Sequence, residues 1–550
     1  MDENLIDKKQ TPGWPGVSPR WTSSSKTGIG KAINSASDVS FTLSHGVVNE
    51  VFFPREDIAC IRDIEFLVTD GNNFFSEEKR NTSHTIKWMK EGVPAFHIIN
   101  VCKQKKYCLE KEVITDPIRN TLLQQIIFKP SGENKLSNLN LYVILSPHIN
   151  NHGKGNDGWK GEFKGVPMLF ARRGDITIAL ACSSDFLKCS VGYVGNSDGY
   201  TDLKQHKKME WEYPKTDDGN IALTAQIDIS KNKKIVVAVG FGHTTEEAGN
   251  NAWASILDGF ELAKEKYIYE WERWQRSLTN IKSDRNRVGR NFRTSAAVLR
   301  VHESKKFPGG VMASLSIPWG QSKGDGNLGG YHLVWPRDLV LSSGGFLELD
   351  AKDDVLRILN YVMTTQEKDG RWSQNMWLDG GPYWTGIQMD QIALAILLVN
   401  TSYQKKYVDE ERSNRYWPIV KKALCYLIAI GPWTQQDRWE EESGYTLFTI
   451  SAEIAALLAG AALAEANNEK EIAKYCKETA DYWNGNIEKW TYVTGTSLSE
   501  KIGVDGYYMR INSFDLDADE VKDKFINLKN HVDDNGKILL GELICVDALA

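Results

Sequence analysis

Residues 355–363 read VLRILNYVM. Val355, Ile358, Leu359, Val362 and Met363 fall at i, i+3, i+4, i+7 and i+8, the spacing of one face of an α-helix. Ile454, Leu457, Leu458, Ala461 and Ala462 repeat that spacing. The run from Ile392 to Val399 is apolar on every side, so its helix is expected to be buried all round. Tyr416 to Ile430 makes a further helix, stopped by Gly431-Pro432. Helices after residue 288 therefore alternate between amphipathic and wholly apolar. That alternation suits a barrel with an inner and an outer ring, and no repeat of fixed length points to a solenoid.

Working back toward the N-terminus, the period changes to two. Val39, Phe41 and Leu43 alternate with Ser40 and Thr42. Leu139, Leu141, Val143 and Leu145 do the same, as do Ile176, Ile178 and Leu180, and Ile235, Val237 and Val239. Turn residues separate these runs at Asp70-Gly71-Asn72, Arg173-Gly174-Asp175 and Asp217-Asp218-Gly219-Asn220. Many strands without intervening helices predict an antiparallel sandwich over 1–270. Thr244 to Leu278 reads as helix, and 271–290 is expected to link the sandwich to a helical domain over 291–550. At 550 residues the chain is long enough for both cores.

Composition narrows the partners. A net charge of −6 without a basic tract predicts no nucleic-acid or anionic-membrane partner. The start, MDENLIDKKQ, lacks an apolar h-region, and no apolar run is read as long enough to span a membrane. The eight cysteines are scattered without CxxC or metal-ligand spacing. Cys425 and Cys476 are expected to be buried free thiols in a reduced, cytoplasmic protein, with no metal and no cofactor.

The loops between helices carry the chemistry. Eight of the 18 tryptophans fall between Trp319 and Trp439, outside the periodic apolar runs, which points to an aromatic-lined pocket. Aromatic faces stack on sugar rings, although about half of such indoles are expected only to fill loop cores. Residues 331–338, YHLVWPRD, put Arg337 beside Asp338. The pair can grip sugar hydroxyls, or it can be an ordinary helix start with Asp in the first turn. Residues 371–390, RWSQNMWLDGGPYWTGIQMD, add Trp372, Trp377 and Trp384. Residues 434–443, TQQDRWEEES, crowd Asp437, Trp439, Glu440, Glu441 and Glu442 together. They form either a solvated acidic loop or a site where burial and like charges keep one acid protonated. Gly324–Gly329 matches GxGxxG but neither follows a strand nor opens a helix, so a dinucleotide site is rejected.

These loops resemble the prokaryotic form of the glucoamylase family, glycoside hydrolase family 15, over 12–550. The resemblance rests on IPWG at 317–320, WPRD at 335–338, PYWTGIQMD at 382–390 and DRWEEESG at 437–444. It implies a super-β-sandwich, a helical linker and an (α/α)6 barrel. It also implies exo-acting, inverting hydrolysis of α-glucans or malto-oligosaccharides, releasing glucose from the non-reducing end. Glu440 corresponds to the general acid and Glu441 to the carboxylate that tunes it, with Asp437 in the same cluster. Arg337 and Asp338 correspond to the pair holding the terminal glucose. Tyr331, Trp335, Trp384 and Trp439 correspond to aromatic positions of the first subsites, and Arg510 in GYYMRI to a further sugar-binding arginine.

The chain departs from the family pattern in two ways. No residue matches the catalytic base, and Ser499-Glu500 comes too early to be it. The stretch after 288 also falls short of twelve ordinary helices with loops by roughly a third, so a partial barrel and a weakly active or inactive chain are expected. Alternative readings are an α-1,6-glucan or trehalose hydrolase, a disaccharide phosphorylase, and an inactive glucan-binding remnant. The oligomeric state is open.

Overall fold

A computed structural model describes residues 11–132, 134–232, 234–279, 287–317, 325, 330–529 and 537–549. The chain divides into two compact units, Met1–Lys306 with Ser314–His332, and Phe307–Ala313 with Leu333–Ala550. Pro318–Gly320 of the IPWG motif, 280–286 of the expected linker and all of the GxGxxG stretch except Asp325 lie outside the described residues.

The first unit is a sandwich of two antiparallel sheets. One runs, across the sheet, Gly28–Lys31, Ser40–Ser44, Val47–Phe52, Ala59–Thr69, Asn140–Pro147, Ile221–Ile227 and Phe186–Tyr193, with Phe75–Glu77 added beside Ala59–Thr69. The other runs Lys215–Gly219, Asn156–Phe163, Val166–Arg173, Ile176–Cys182, Ile235–Gly242, Thr121–Pro130, Tyr107–Thr115, Val93–Cys102 and Thr82–Lys90. Phe41, Phe66, Val143 and Leu223 meet Phe96, Leu122, Ile178 and Val239 in one apolar core. Each large apolar side chain so buried contributes roughly 1.5–3 kcal/mol.

Period two held, but the polar face of the Ser40–Ser44 strand is not solvated. Ser40, Thr42 and Ser44 are buried with the apolar residues, because Thr42 and Thr22 donate to the buried Glu50 carboxylate, which Lys26 pairs. A second buried pair lies deeper. Lys111 holds Glu78 and donates to the Gly46 carbonyl at 2.9 Å, while Glu78 accepts from the Phe66 amide at 2.9 Å. Gly46 sits at φ +78°, and an added Cβ there would lie 2.4 Å from Asn100 Oδ1.

The expected helix over 244–278 is two helices, Thr245–Asp258 and Phe260–Ser277, broken where Gly259 takes φ +90°. Both pack on the sandwich, the first against the Ile235–Gly242 and Ile176–Cys182 strands and the second through Trp271, which donates to the Lys31 carbonyl at 2.9 Å, and Gln275, which donates to the Gly92 carbonyl at 3.0 Å. Arg287–Val301 is a further helix of this unit.

The second unit contains six long helices among its described residues: α1 (Pro336–Glu348), α2 (Lys352–Thr364), α3 (Met389–Gln404), α4 (Glu410–Ile430), α5 (Leu447–Ala466) and α6 (Lys470–Thr491). Helices α1, α3 and α5 pack on one another as an inner series, and α2, α4 and α6 flank them outside. This is the inner-and-outer order of an α/α barrel. In α5, 20 residues long, the buried face is Glu453, Ala456, Leu457, Gly460, Ala461 and Ala464, while Leu458 is exposed. A helix apolar nearly all round gives periodicity no face to choose. By length and composition α5 could also cross a membrane, which corrects the expectation that no run is long enough. Here its apolar surface packs on α3 and α6. The eight cysteines are free thiols, with Cys476 buried but Cys425 exposed, contrary to expectation.

Candidate active site

Three connections of the second unit converge. The chain entering α1 carries Trp335, Arg337 and Asp338. The segment entering α3 carries Trp384, Gln388 and Asp390. The loop between α4 and α5 carries 434–443.

That last loop is closed by a bridge pairing Thr434 with Gly444. Asp437 organises it from within. Its backbone amide donates to the Glu442 carbonyl at 2.7 Å, and its Oδ1 accepts from the amides of Glu441 at 2.8 Å and Glu442 at 3.3 Å. Asp437 is buried, its other oxygen taken by Arg510 at 2.9 Å. The turn leaves Glu440 at φ +65°, a left-handed conformation that costs a non-glycine residue about 1–3 kcal/mol. The strain aims the Glu440 carboxylate at Trp335, whose indole Nε1 donates to Oε1 at 3.0 Å.

Glu441 points another way, onto Arg510, so one guanidinium is shared between Asp437 and Glu441. Arg510 is delivered by the small lobe that follows α6, built on Val493, Met509, Ile511 and Val521, and it lies 5.9 Å from the Trp439 ring. Arg438 stacks on Phe448 at 4.5 Å and pairs with Asp547 at 2.9 Å.

Arg337 is not the free fork that its position beside Asp338 suggests. Its Nε and Nη2 hold the two oxygens of Asp390 at 2.6 and 3.1 Å, and Nη2 also donates to Gln388. Gln388 reaches Gln436 at 3.3 Å, which ties all three connections together. Asp338 stands half-buried next along α1. Its carboxyl is pushed up by burial and by the Glu440 charge, against the pull of Arg337. The carboxyl of the buried Glu453 of α5 is pushed well up by burial and by the Asp390 charge.

Trp335 and Trp384 meet edge to face, with ring centroids 6.2 Å apart. Trp335 is nearly buried, whereas Trp384 and Trp439 are 42% and 46% exposed, so two indole faces remain open to a ligand. Trp372 is a loop-core filler, buried and donating to the Val362 carbonyl at 2.9 Å. Tyr331 is exposed and belongs to the first unit. Sequence reasoning missed Gln388, Asp390 and Gln436. Asp390 lay in a quoted motif, but nothing in the chain marked it as the partner of Arg337. Ser499, rejected above as part of a base motif, forms a capping box with Thr496 on helix Ser497–Ile502.

Residues 11–276 match the family described as glucodextranase, domain N, and residues 292–534 match glycosyl hydrolases family 15. A glucoamylase of Clostridium sp. (strain G0005) is 36% identical over 497 residues, covering 90% of this chain and 68% of the relative. The crystal structure of a bacterial glucoamylase complexed with acarbose is 34% identical and superposes with a TM-score of 0.88, over 94% of this chain and 74% of that one. An uncharacterized glycosyl hydrolase of Methanocaldococcus jannaschii is 28% identical over 169 residues, which are 30% of this chain and 27% of that protein.

Proposed function

The chain belongs to glycosyl hydrolase family 15, and from that premise we propose that it cleaves α-glucans or malto-oligosaccharides from the non-reducing end, releasing glucose with inversion. The 3.0 Å bond from Trp335 to Glu440 carries this reading, because it ties the acidic loop to the segment bearing Arg337 and Asp338.

Glu440 is the general acid: it gives its proton to the glycosidic oxygen as the C–O bond breaks. Arg337, fixed by Asp390, and Asp338 hold the hydroxyls of the terminal sugar. Trp335, Trp384 and Trp439 supply ring faces around the first subsites. Asp437, Glu441 and Arg510 set the loop geometry and add sugar contacts. Inversion also needs a carboxylate base about 6.5–9.5 Å from the acid, to activate water on the opposite face of the sugar. No residue of this chain is assigned that role.

The test offers azide beside water, because azide is a nucleophile that needs no base. Maltotriose is incubated with the chain, with and without azide, and the products are followed by proton NMR. Inverting cleavage yields β-glucose from water and β-glucosyl azide from azide. Glu440→Gln is expected to lower either rate by about 10²–10⁴-fold. Product in the α-configuration, an unchanged rate in Glu440→Gln, or phosphate-dependent formation of glucose 1-phosphate would overturn the proposal.

A further inference from the structure

The turn that carries Glu440 is held at its base and at its tip by different groups. Residues 437–440 form it, closed by the Glu440 amide donating to the Asp437 carbonyl at 2.9 Å. Asp437 fixes the base through the amides of Glu441 and Glu442, and Arg510 takes its second oxygen. Arg438 and Trp439 stand at the two central positions of the turn. Arg438 has two partners outside the loop. Its guanidinium carbon lies 4.5 Å from the ring centroid of Phe448, in the first turn of α5, and its Nη1 donates to Asp547 Oδ1 at 2.9 Å. The two side chains of this ion pair are 26% and 15% exposed, so water reaches both but surrounds neither. The same guanidinium lies 5.4 Å from the Trp439 ring. Its charge also reaches Asp338, where it opposes the upward push of burial on that carboxyl.

Asp547 is itself placed by the small lobe that follows α6. It lies in the short 3₁₀ turn Val546–Leu549, which packs on α5. The residues before that turn pair with the segment bearing Arg510. The Cys545 amide donates to the Tyr508 carbonyl at 2.8 Å, and the Arg510 amide to the Leu543 carbonyl at 2.6 Å. Arg510 and Asp547 therefore ride on paired segments of one lobe. They reach the acidic loop with opposite charges, Arg510 at the base of the turn and Asp547 at its tip.

A partly exposed ion pair adds little to global stability. What the Arg438–Asp547 pair can set is local geometry, and Glu440 is the residue that needs it. Its backbone is left-handed at φ +65°, and its carboxylate accepts from Trp335 on another connection. A turn free to relax at Arg438 would let Glu440 return toward an ordinary conformation and swing the carboxylate off Trp335. A misplacement of about 1 Å at a reacting group can cost on the order of 10²-fold in rate. We infer that Asp547 is a positioning residue for the proposed acid: through Arg438 it fixes the tip of the turn and so the direction of the Glu440 carboxylate. The inference rests on the reading of Glu440 as the acid.

The test compares the full chain with its Asp547→Ala, Asp547→Glu and Arg438→Met variants and with the double variant Arg438→Met/Asp547→Ala. Maltotriose turnover and amide exchange of residues 434–446 are both measured. Asp547→Ala is expected to lower kcat about 10–100-fold while KM stays within about threefold. It should speed exchange in the loop about fivefold or more, leaving α3 and the urea midpoint unmoved. Asp547→Glu, which keeps the charge, should recover most of both losses. The double variant should cost no more than Arg438→Met alone, because the two residues act as one unit. The inference is overturned by loop exchange that Asp547→Ala leaves unchanged, by a kcat equal to that of the parent chain, by a loss confined to KM, by a loss that Asp547→Glu does not recover, or by additive losses in the double variant. If the parent chain turns over nothing, the proposed reaction falls, and loop exchange alone then decides whether Asp547 holds the turn.

Discussion

Two buried ion pairs, one in each unit, have the same chemistry and different surroundings. Lys111 and Glu78 in the sandwich are both essentially inaccessible, and their remaining contacts end on the backbone of Gly46 and Phe66 and on Asn100. Arg337 and Asp390 are as deeply placed, but their contacts continue through Gln388 and Gln436 into the loop that carries Glu440. A buried charge whose hydrogen bonds end on backbone fixes strands. One whose hydrogen bonds run through side chains to several loops fixes the relative positions of those loops. Burial alone does not tell the two apart, whereas the ends of the network do.

The largest expected effect lies on the loop that only the second network reaches. Glu440→Gln should leave the unfolding midpoint within about 0.5 kcal/mol, as for a substitution outside the core, while costing about 10²–10⁴ in turnover. Next come Lys111→Met and Arg337→Met. Each strands a buried carboxylate and should lose about 3–5 kcal/mol in urea unfolding. Only Arg337→Met should also abolish saccharide turnover in the fraction that remains folded. If Lys111→Met removes turnover at full stability, the distinction drawn above collapses.

Acid should separate the units further. All described histidines belong to the first unit. Burial lowers His148 to about 3 and His302 to about 4, from an ordinary value of 6.5. Between those values and 6.5 the unfolded chain binds more protons than the folded one, so stability falls as pH drops through that window. Protection factors of the sandwich-strand amides, taken against the intrinsic exchange rate at each pH, should fall between pH 6.5 and 4, and His302→Gln should flatten that dependence. Helix caps give the smallest effect. Thr244 accepts from the Glu247 amide and Asp409 from the Arg412 amide, one cap in each unit. Alanine at either should cost about 1 kcal/mol, read as a shift in thermal midpoint. A much larger loss at Asp409 would mean that α4 supports more of the second unit than its cap.

The sequence made the layers legible because each has a simple period. Strands such as Asn140–Pro147 and helices such as α2 declare themselves by residues on one face. Where a side chain is buried against expectation, the cause lies far along the chain: Thr42 is covered through Glu50 and Lys26, and the buried Glu453 feels the charge of Asp390. Glu440, Trp335, Arg337 and Arg510 were found through motifs and are brought together. Asp390, Gln388 and Gln436 were not found, because a side chain that serves by holding another carries no composition or spacing of its own. Gly259 broke a helix that periodicity had joined, since one residue at φ +90° leaves the apolar pattern on either side intact.

The left-handed backbone of Glu440 bears on how this protein would respond to selection. Glycine, or asparagine to a lesser extent, occupies φ +65° more cheaply than glutamate. A library randomised at 440 and ranked by heat resistance would therefore enrich Gly and Asn, the variants that discard the proposed proton donor. Rounds of thermal screening without an activity gate would remove the proposed acid first, and each round would register as an improvement.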